Sequence, residues 1–246
     1  MTRYDFTTQP NRLNQNTMKW HEAESNPELL ELWVADMDFL PVPEIRDAVI
    51  NYAETHIFGY PYPSEELYQS IINWEKNQHG YVVDKESIVL IEGVVPAIST
   101  AIQAFTKEGD AVLINTPVYP PFARSVRLNN RRLIENSLVK VNGHFEIDFE
   151  QLERDIVEND VKLYVFCSPH NPGGRVWTKE ELTKVADLCQ KHGVLLVSDE
   201  IHQDLALYGN KHISMNTISD AYKDFTLVVS SATKNFNIDG SEKSIT

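Results

Sequence analysis

The chain has 246 residues, of which 42% are hydrophobic, 24% charged and 10% aromatic, a composition that is typical of a folded protein and excludes a disordered or fibrous one. Its 36 acidic and 22 basic side chains give a net charge of -14, which disfavours nucleic acid and anionic membrane surfaces as partners. We therefore expect a small-molecule ligand and a chain that buries a sizeable core in one or two domains.

Cysteine usage and hydropathy indicate the compartment. Cys167 and Cys189 are the only two cysteines, so the sequence predicts no disulfide framework, and a reducing cytoplasm fits. The first residues lack the apolar segment of an export signal, and no stretch approaches the roughly 20 apolar residues of a membrane helix. We predict a cytoplasmic protein with no membrane anchor. The spacing of histidines and cysteines suggests no metal site.

The first 40 residues are polar and irregular until an apolar run at 32–39, which is interrupted by Asp36 and Asp38. We interpret this run as a strand edge with solvated acids. Beyond it, Pro43 stands where the first turn of a helix tolerates proline, and apolar side chains follow at helical spacing.

A stiff aromatic turn at 58–63, rich in glycine and proline, cannot continue the helix and presents its rings from a loop. Ser64 is predicted to cap a second helix, which Gly80 ends. Further along, Thr178 and Glu181 form a capping box that opens another helix, which Gly193 ends.

From residue 88 onwards, short apolar runs alternate with helical patterns, which is typical of a largely parallel sheet with crossover helices. The candidate strands are 88–91, 111–115, 131–138, 162–167, 194–198 and 226–230. The predicted fold class is α/β, a mostly parallel sheet flanked by helices.

Three turns after these strands carry candidate binding groups. Gly93 permits close backbone approach, so the amides after it could face an anion, although a packed turn fits equally well. Tyr119 lies in a proline-rich turn that could hold it as a flat wall for a planar ring, or it is a core tyrosine. Asn171 stands between two prolines and is either a binding amide or a turn former.

The strand at 194–198 leads directly into Asp199, and a carboxylate there needs a cation or a protonated nitrogen as partner. His202 could reach the same site; either residue could instead lie on a surface loop. Lys234 follows the strand at 226–230, at the end of the sheet where α/β proteins bind ligands. Desolvation there would make its neutral amine accessible for reaction with an aldehyde, whereas a solvated surface lysine is the alternative.

Taken together, the motifs resemble the fold-type I enzymes that use pyridoxal 5′-phosphate, specifically the class I/II aminotransferase superfamily and its branch of cystathionine β-lyases, or C–S lyases. The stretches that carry the resemblance are 33–39, 58–60, 93–96, 116–119, 168–177, 198–202 and 230–234. They cover nearly the whole chain in the expected order.

The resemblance implies a role for each matching residue. Lys234 would bind the cofactor covalently and move the proton at the substrate Cα, while Asp199 would pair with the pyridine nitrogen. The remaining cofactor contacts would be Asn171 and His202 near the phenolic oxygen, Tyr119 stacked on the ring, Val94, Val95 and Ser231 at the phosphate, and Tyr60 at the phosphate of the neighbouring subunit in a homodimer.

For a β-lyase, the implied chemistry is α,β-elimination of cystathionine or a cysteine-type substrate to a thiol, pyruvate and ammonia. An aminotransferase of the same superfamily would share the first steps, and the residues named above do not separate the two. A third hypothesis is that the motifs mark only a scaffold without a cofactor.

The ending departs from the family. Relatives continue past the lysine into a small domain, and the arginines that bind the phosphate and the substrate carboxylate have no counterpart among the residues after Lys234. We therefore expect residues 1–40 to belong to a small domain that is largely missing, and 41–246 to form a large domain incomplete at its carboxyl end. A truncated fragment with little or no catalytic activity is the corresponding alternative function.

Overall fold

A computed structural model describes residues 4–241 and 244–245. Internal contacts divide this part of the chain into two units. The first unit contains residues 4–62 and 233–241, and the second contains 63–232 and 244–245. The boundary that we expected between residues 40 and 41 stays a prediction.

The elements of both units follow in chain order. The α-helices are α1 (Pro43–Thr55), α2 (Glu65–Trp74), α3 (Val94–Phe105), α4 (Pro121–Leu128), α5 (Phe149–Glu158), α6 (Lys179–His192) and α7 (Thr233–Phe236). The strands are β1 (Leu90–Ile91), β2 (Ala111–Thr116), β3 (Arg132–Ser137), β4 (Val139–Val141), β5 (His144–Glu146), β6 (Val161–Cys167), β7 (Leu195–Asp199), β8 (Thr226–Val229) and β9 (Ser244–Ile245).

The second unit is built on a five-stranded sheet in the order β3-β2-β6-β7-β8, in which all neighbouring strands are parallel. The predicted α/β class with a mostly parallel sheet is therefore confirmed. The prediction that 88–91 is a strand of the parallel sheet was wrong. Only Leu90 and Ile91 form a strand, which pairs antiparallel with β9 outside the larger sheet.

Side chains alternate between the two faces of the sheet, and each face packs into its own hydrophobic core. On β2, Ala111 and Leu113 pack with apolar residues of α5 and α6. Val112 and Ile114 point to the other face and pack with α3 and α4. A strand that is buried on both faces must be apolar at consecutive positions, which explains why the strands read as continuous apolar runs.

Capping residues set the helix ends as predicted. The Thr178 side chain accepts a hydrogen bond from the Glu181 amide and the Glu181 carboxylate accepts one from the Thr178 amide, a complete capping box for α6. Gly193 ends this helix with a φ of 66°, in the left-handed region that glycine adopts without a steric penalty. Ser64 caps α2 by accepting from Leu67 N at 3.2 Å.

A chain of buried polar side chains crosses three strands. Tyr164 on β6 donates to Asn115 on β2, which donates to Asn136 on β3 at 3.0 Å. Asn136 in turn donates to Asp155 of α5 at 2.8 Å. Each amide is thereby oriented by its neighbours, so the three strands are held in one register by directional bonds as well as by packing.

In the first unit, the run at 32–39 forms no strand, and our interpretation of solvated acids was wrong. Asp36 accepts from Arg12 at 2.5 Å, and Asp38 accepts from Arg12 at 2.6 Å and from Lys19 at 2.9 Å. Ion pairing with cations from an irregular upstream segment allows both acids to be mostly buried.

Helices in the described residues are too short or too polar to cross a bilayer. The longest of them is α6, with 14 residues.

Replacing Phe166 by alanine should test the two-sided core. Its ring is fully buried and lies 5.7 Å from the Trp177 ring, so truncation leaves a cavity and should lower the free energy of unfolding by about 3–5 kcal/mol. Urea denaturation measures this loss. The same substitution at Phe105, which is 55% exposed, should cost under about 1 kcal/mol, and equal losses at both positions would contradict the assigned core.

Candidate active site

The parallel register delivers the carboxyl ends of β2, β6, β7 and β8 to one edge of the sheet. The turns that follow these strands carry most of the residues that the sequence singled out. Hydrogen bonds between the turns hold them together: Ser168 N donates to Asp199 O at 2.9 Å, and Glu200 N donates to Val229 O at 2.8 Å. This edge is the candidate active site of the second unit.

Asp199 is the last residue of β7 and only 4% exposed. Its Oδ1 accepts a hydrogen bond from Ile201 N at 3.1 Å. A carboxylate at this depth loses most of its hydration, so a cationic partner stabilises it strongly. The arrangement can therefore bind a protonated ring nitrogen.

Tyr119 and Asn171 are brought together by the turns after β2 and β6. Tyr119 N donates to Asn171 O at 3.1 Å, and Asn171 N donates to the sulfur of buried Cys167 at 3.3 Å. The Tyr119 side chain is 40% exposed, so its ring is not the core tyrosine of the alternative interpretation. The partly exposed ring can contact a planar ligand.

The amino terminus of α3 has the features of an anion site. Gly93 precedes the helix with a φ of 106°, and no side chain caps the first turn. Val94 and Val95 are the first helical residues, and Pro96 after them has no N–H, so these two amides are the donors of the first turn. The helix packs on β6, β7 and β8.

Hydroxyl side chains follow β8. Ser230 and Ser231 are buried, and Ser230 Oγ donates to Glu200 O at 3.5 Å. His202, three residues after Asp199, is half-buried at the start of a short 3₁₀ turn. The second unit thus brings together all the predicted site residues except two.

Those two, Lys234 and Tyr60, belong to the first unit. Lys234 lies in α7, and its Nζ donates to Asp239 Oδ1 at 2.5 Å. Tyr60 follows α1 in an extended loop and is fully exposed.

A buried network beneath the segment after β7 was missed by the sequence reasoning. Glu200 is completely buried, and its carboxylate accepts from Ser198 Oγ, Met215 N and His212 Nε2, each at 2.9 Å. The sequence signal for it was a second acid directly after Asp199. Two of the three partners of Glu200, His212 and Met215, come from a later turn that carries no periodic pattern.

The same segment is attached to the helical turn at 75–79, which directly follows α2. Gln203 Nε2 donates to Glu75 Oε1 at 2.7 Å, and His79 lies 2.9 Å from Asp204. Burial raises the pKa of the Glu75 carboxyl, against the lowering effects of Gln203 and His79. The backbone that carries Asp199 and His202 is therefore anchored on its inner side by side-chain hydrogen bonds.

His170 is a further buried titratable group near this edge. Its Nδ1 accepts from Gly173 N at 3.2 Å, its ring packs on Trp177, and burial together with nearby Arg175 lowers its pKa from 6.5 to about 4. The folded protein therefore keeps this imidazole neutral at pH values where the unfolded chain would bind a proton.

This shift predicts a pH dependence. Because the folded pKa is depressed, stability should fall as the pH drops below 6.5, and by pH 5 His170 should account for a loss of about 2 kcal/mol. Urea denaturation of wild type and His170→Asn at pH 7 and pH 5 measures the difference. The same substitution at His144 on β5 controls for the chemical change, and parallel losses in wild type and His170→Asn would contradict the shift.

Comparison with known proteins identifies the family of the chain. A family model described as aminotransferase class I and II matches residues 27–241. Cystathionine beta-lyase PatB of Bacillus subtilis strain 168 is 41% identical over 243 residues, which are 98% of this chain and 63% of that protein.

Two solved structures are similar over 98% of this chain. Cystalysin from Treponema denticola, which contains a pyridoxal 5′-phosphate cofactor, has a TM-score of 0.93 at 39% identity, and 63% of it is covered. The pyridoxal-phosphate-bound C–S lyase from Staphylococcus hominis, in complex with L-cycloserine, has a TM-score of 0.92 at 30% identity, with 64% covered. The chain thus spans less than two thirds of the length of these relatives, and it belongs to the family of class I and II aminotransferases.

Proposed function

We propose that the protein is a pyridoxal-phosphate-dependent C–S β-lyase, which eliminates a thiol from cystathionine or a cysteine-type amino acid and yields pyruvate and ammonia. The buried carboxylate of Asp199 at the carboxyl edge of the sheet is the observation that carries this proposal. The names of the relatives support the lyase branch.

The donor set of the second unit fits the cofactor. An acid for a protonated ring nitrogen, an accessible aromatic face and a helix amino terminus for a dianionic phosphate match the three chemically distinct parts of pyridoxal phosphate. When bound, the cofactor supplies an electron sink that stabilises negative charge at the substrate Cα.

Each residue then has one task. We assign the ring nitrogen to Asp199 and the phenolic oxygen to Asn171, with His202 beside it. Tyr119 covers the face of the ring. The phosphate is assigned to the amides of Val94 and Val95 and to Ser231.

Lys234 is the residue that we propose binds the cofactor covalently. Its amine would also remove the proton from the substrate Cα, which is the step that elimination and transamination share. The buried carboxylate of Asp199 would keep the ring nitrogen protonated and so make this proton easier to remove.

An aminotransferase is the second candidate, favoured by the description of the matching family. The two reactions differ after the Cα proton is lost: in one a thiol leaves Cβ, whereas in the other the amino group passes to a keto acid. Pyruvate and thiol release without an added keto acid separates them.

Labelling tests the cofactor assignment. The purified chain with pyridoxal phosphate should show the absorption band of the lysine-bound cofactor, and borohydride reduction followed by peptide mapping should place the label on Lys234. Lys234→Ala should lose both signals because it has no amine to react. Lys223→Ala, at an exposed lysine paired with Asp220, should keep them. A label elsewhere, or none, would refute the assignment.

Turnover is measured separately on the labelled protein. Steady pyruvate release from cystathionine supports the lyase, whereas binding without turnover supports the alternative of a chain with little or no catalytic activity. Transamination without elimination would replace the lyase by the second candidate.

We further propose a homodimer, a small amino-acid substrate and a cytoplasmic location. The loop after α1 exposes a run of large apolar side chains: Ile57 is 89% exposed, Phe58 77%, Tyr60 105% and Tyr62 96%. A second copy of the chain would cover this run and bring Tyr60 to the phosphate of its neighbour. Both cysteines are buried free thiols, which suits a reducing compartment.

Sedimentation equilibrium tests the dimer. The wild-type chain should sediment as a dimer, and Ile57→Asp should shift it towards monomer because a charge would be buried in the interface. Val157→Asp, at a residue 57% exposed on α5, should leave the dimer intact. A monomeric wild-type chain, or equal effects of the two substitutions, would contradict this surface.

A further inference from the structure

The side chain of Lys234 is already engaged in an ion pair within the first unit. Its Nζ lies 2.5 Å from Asp239 Oδ1, and the two side chains are only 22% and 29% exposed. The second oxygen of Asp239, Oδ2, is buried and has no hydrogen-bond partner in the described residues. The carboxylate therefore depends on Lys234 to offset its loss of hydration.

The path of the chain explains how Asp239 reaches a residue five positions earlier. The single turn of α7 ends at Phe236, and Asn237 then adopts a left-handed φ of 54° that reverses the chain. Ile238 N donates to Thr233 O at 3.0 Å and closes the turn. Asp239 is thereby folded back along the side of the helix that carries Lys234.

The reversal at Asn237 is fixed by a segment 200 residues away in sequence. Met37 N donates to Asn237 Oδ1 at 2.8 Å, and Asn237 Nδ2 donates to Met37 O at 2.8 Å and to Phe39 O at 3.3 Å. We call Met37, Phe39 and Asn237 the asparagine clamp. Ion pairs of the flanking Asp36 and Asp38 hold the backbone of the clamp in place.

We propose that Asp239 is a positioning residue that acts as the counter-ion of Lys234 and restrains its reactivity. Before the lysine nitrogen can attack an electrophile, its ammonium group must release a proton and leave the carboxylate. The ion pair holds the nitrogen against the carboxylate and so opposes its departure, and the clamp keeps the pair assembled. The relevance to catalysis rests on the proposed function, in which Lys234 is the cofactor lysine, but the ion pair can be tested without any cofactor.

Competitive acetylation measures the restraint directly. Trace acetic anhydride, an uncharged reagent that reacts only with neutral amines, is added at pH 8, and peptide mass spectrometry reports the rate at each lysine. In Asp239→Asn, we expect Lys234 to react about two- to fivefold faster than in wild type, which is the range for a partly exposed ion pair. Asp239→Glu, which keeps the charge, should return the rate towards that of wild type.

Asp220→Asn is the matched control, since it removes the same charge from an exposed pair with Lys223, at 2.7 Å. It should leave the Lys234 rate unchanged. Circular dichroism and thermal unfolding establish that the variants are folded, and Asp239→Ser replaces Asp239→Asn if that variant is not. An unchanged rate at Lys234 in the folded variant overturns the proposal. So does a slower rate, which would mean that Asp239 accepts the proton from Lys234.

Labelling with pyridoxal phosphate and borohydride distinguishes this proposal from the proposed function. If Lys234 is the cofactor lysine, Asp239→Asn should also increase the rate of its labelling by the cofactor. If the cofactor labels Lys234 in no variant while acetylation is accelerated as expected, the ion pair stands and the assignment of the cofactor fails.

Discussion

Parallel pairing of β2, β6, β7 and β8 is the constraint on which the candidate site depends. Four chain segments far apart in sequence end at the same edge because each connection carries the chain back to the opposite edge. The connections from β2 to β6 and from β6 to β7 contain α-helices, whereas the connection from β7 to β8 contains only short 3₁₀ turns. Helices cover both faces of the sheet, with α3 and α4 on one face and α5 and α6 on the other. An apolar interior and a polar rim therefore arise from one topology, and the rim can be varied without disturbing the packing below it.

Burial of the Asp199 carboxylate at this rim costs free energy, which hydrogen bonds of the neighbouring residues offset. The next residue, Glu200, points into the protein and makes three hydrogen bonds at 2.9 Å, while Gln203 and Asp204 contact the end of α2. These bonds restrict the backbone on both sides of Asp199, so the acid is presented in one orientation to whatever occupies the rim. Preorganisation of this kind lowers the entropy that a ligand must remove on binding.

Local pattern was sufficient for the sheet and for the helix ends. Continuous apolar runs predicted the strands, and Thr178 and Gly193 predicted the limits of α6, because both signals depend on neighbours in sequence. Contacts between distant segments were not predictable. Asp36 looked solvated because Arg12 and Lys19 lie in an irregular stretch with no periodicity, and the bonds of Asn237 to Met37 span 200 residues. The strand β9 was overlooked because two residues in a polar tail carry no period.

The hydrogen-bonded side chains of Tyr164, Asn115, Asn136 and Asp155 affect which strand register forms when the chain collapses. Apolar side chains in the sheet interior could pack acceptably after a two-residue slip of one strand, since the same face would still point inwards. Such a slip would separate Asn115 from Asn136, which lie opposite each other on β2 and β3, and leave buried amides without partners. Sheets with the wrong register are thereby destabilised. These polar groups therefore favour one strand register over others in which the burial of apolar side chains would be nearly equal.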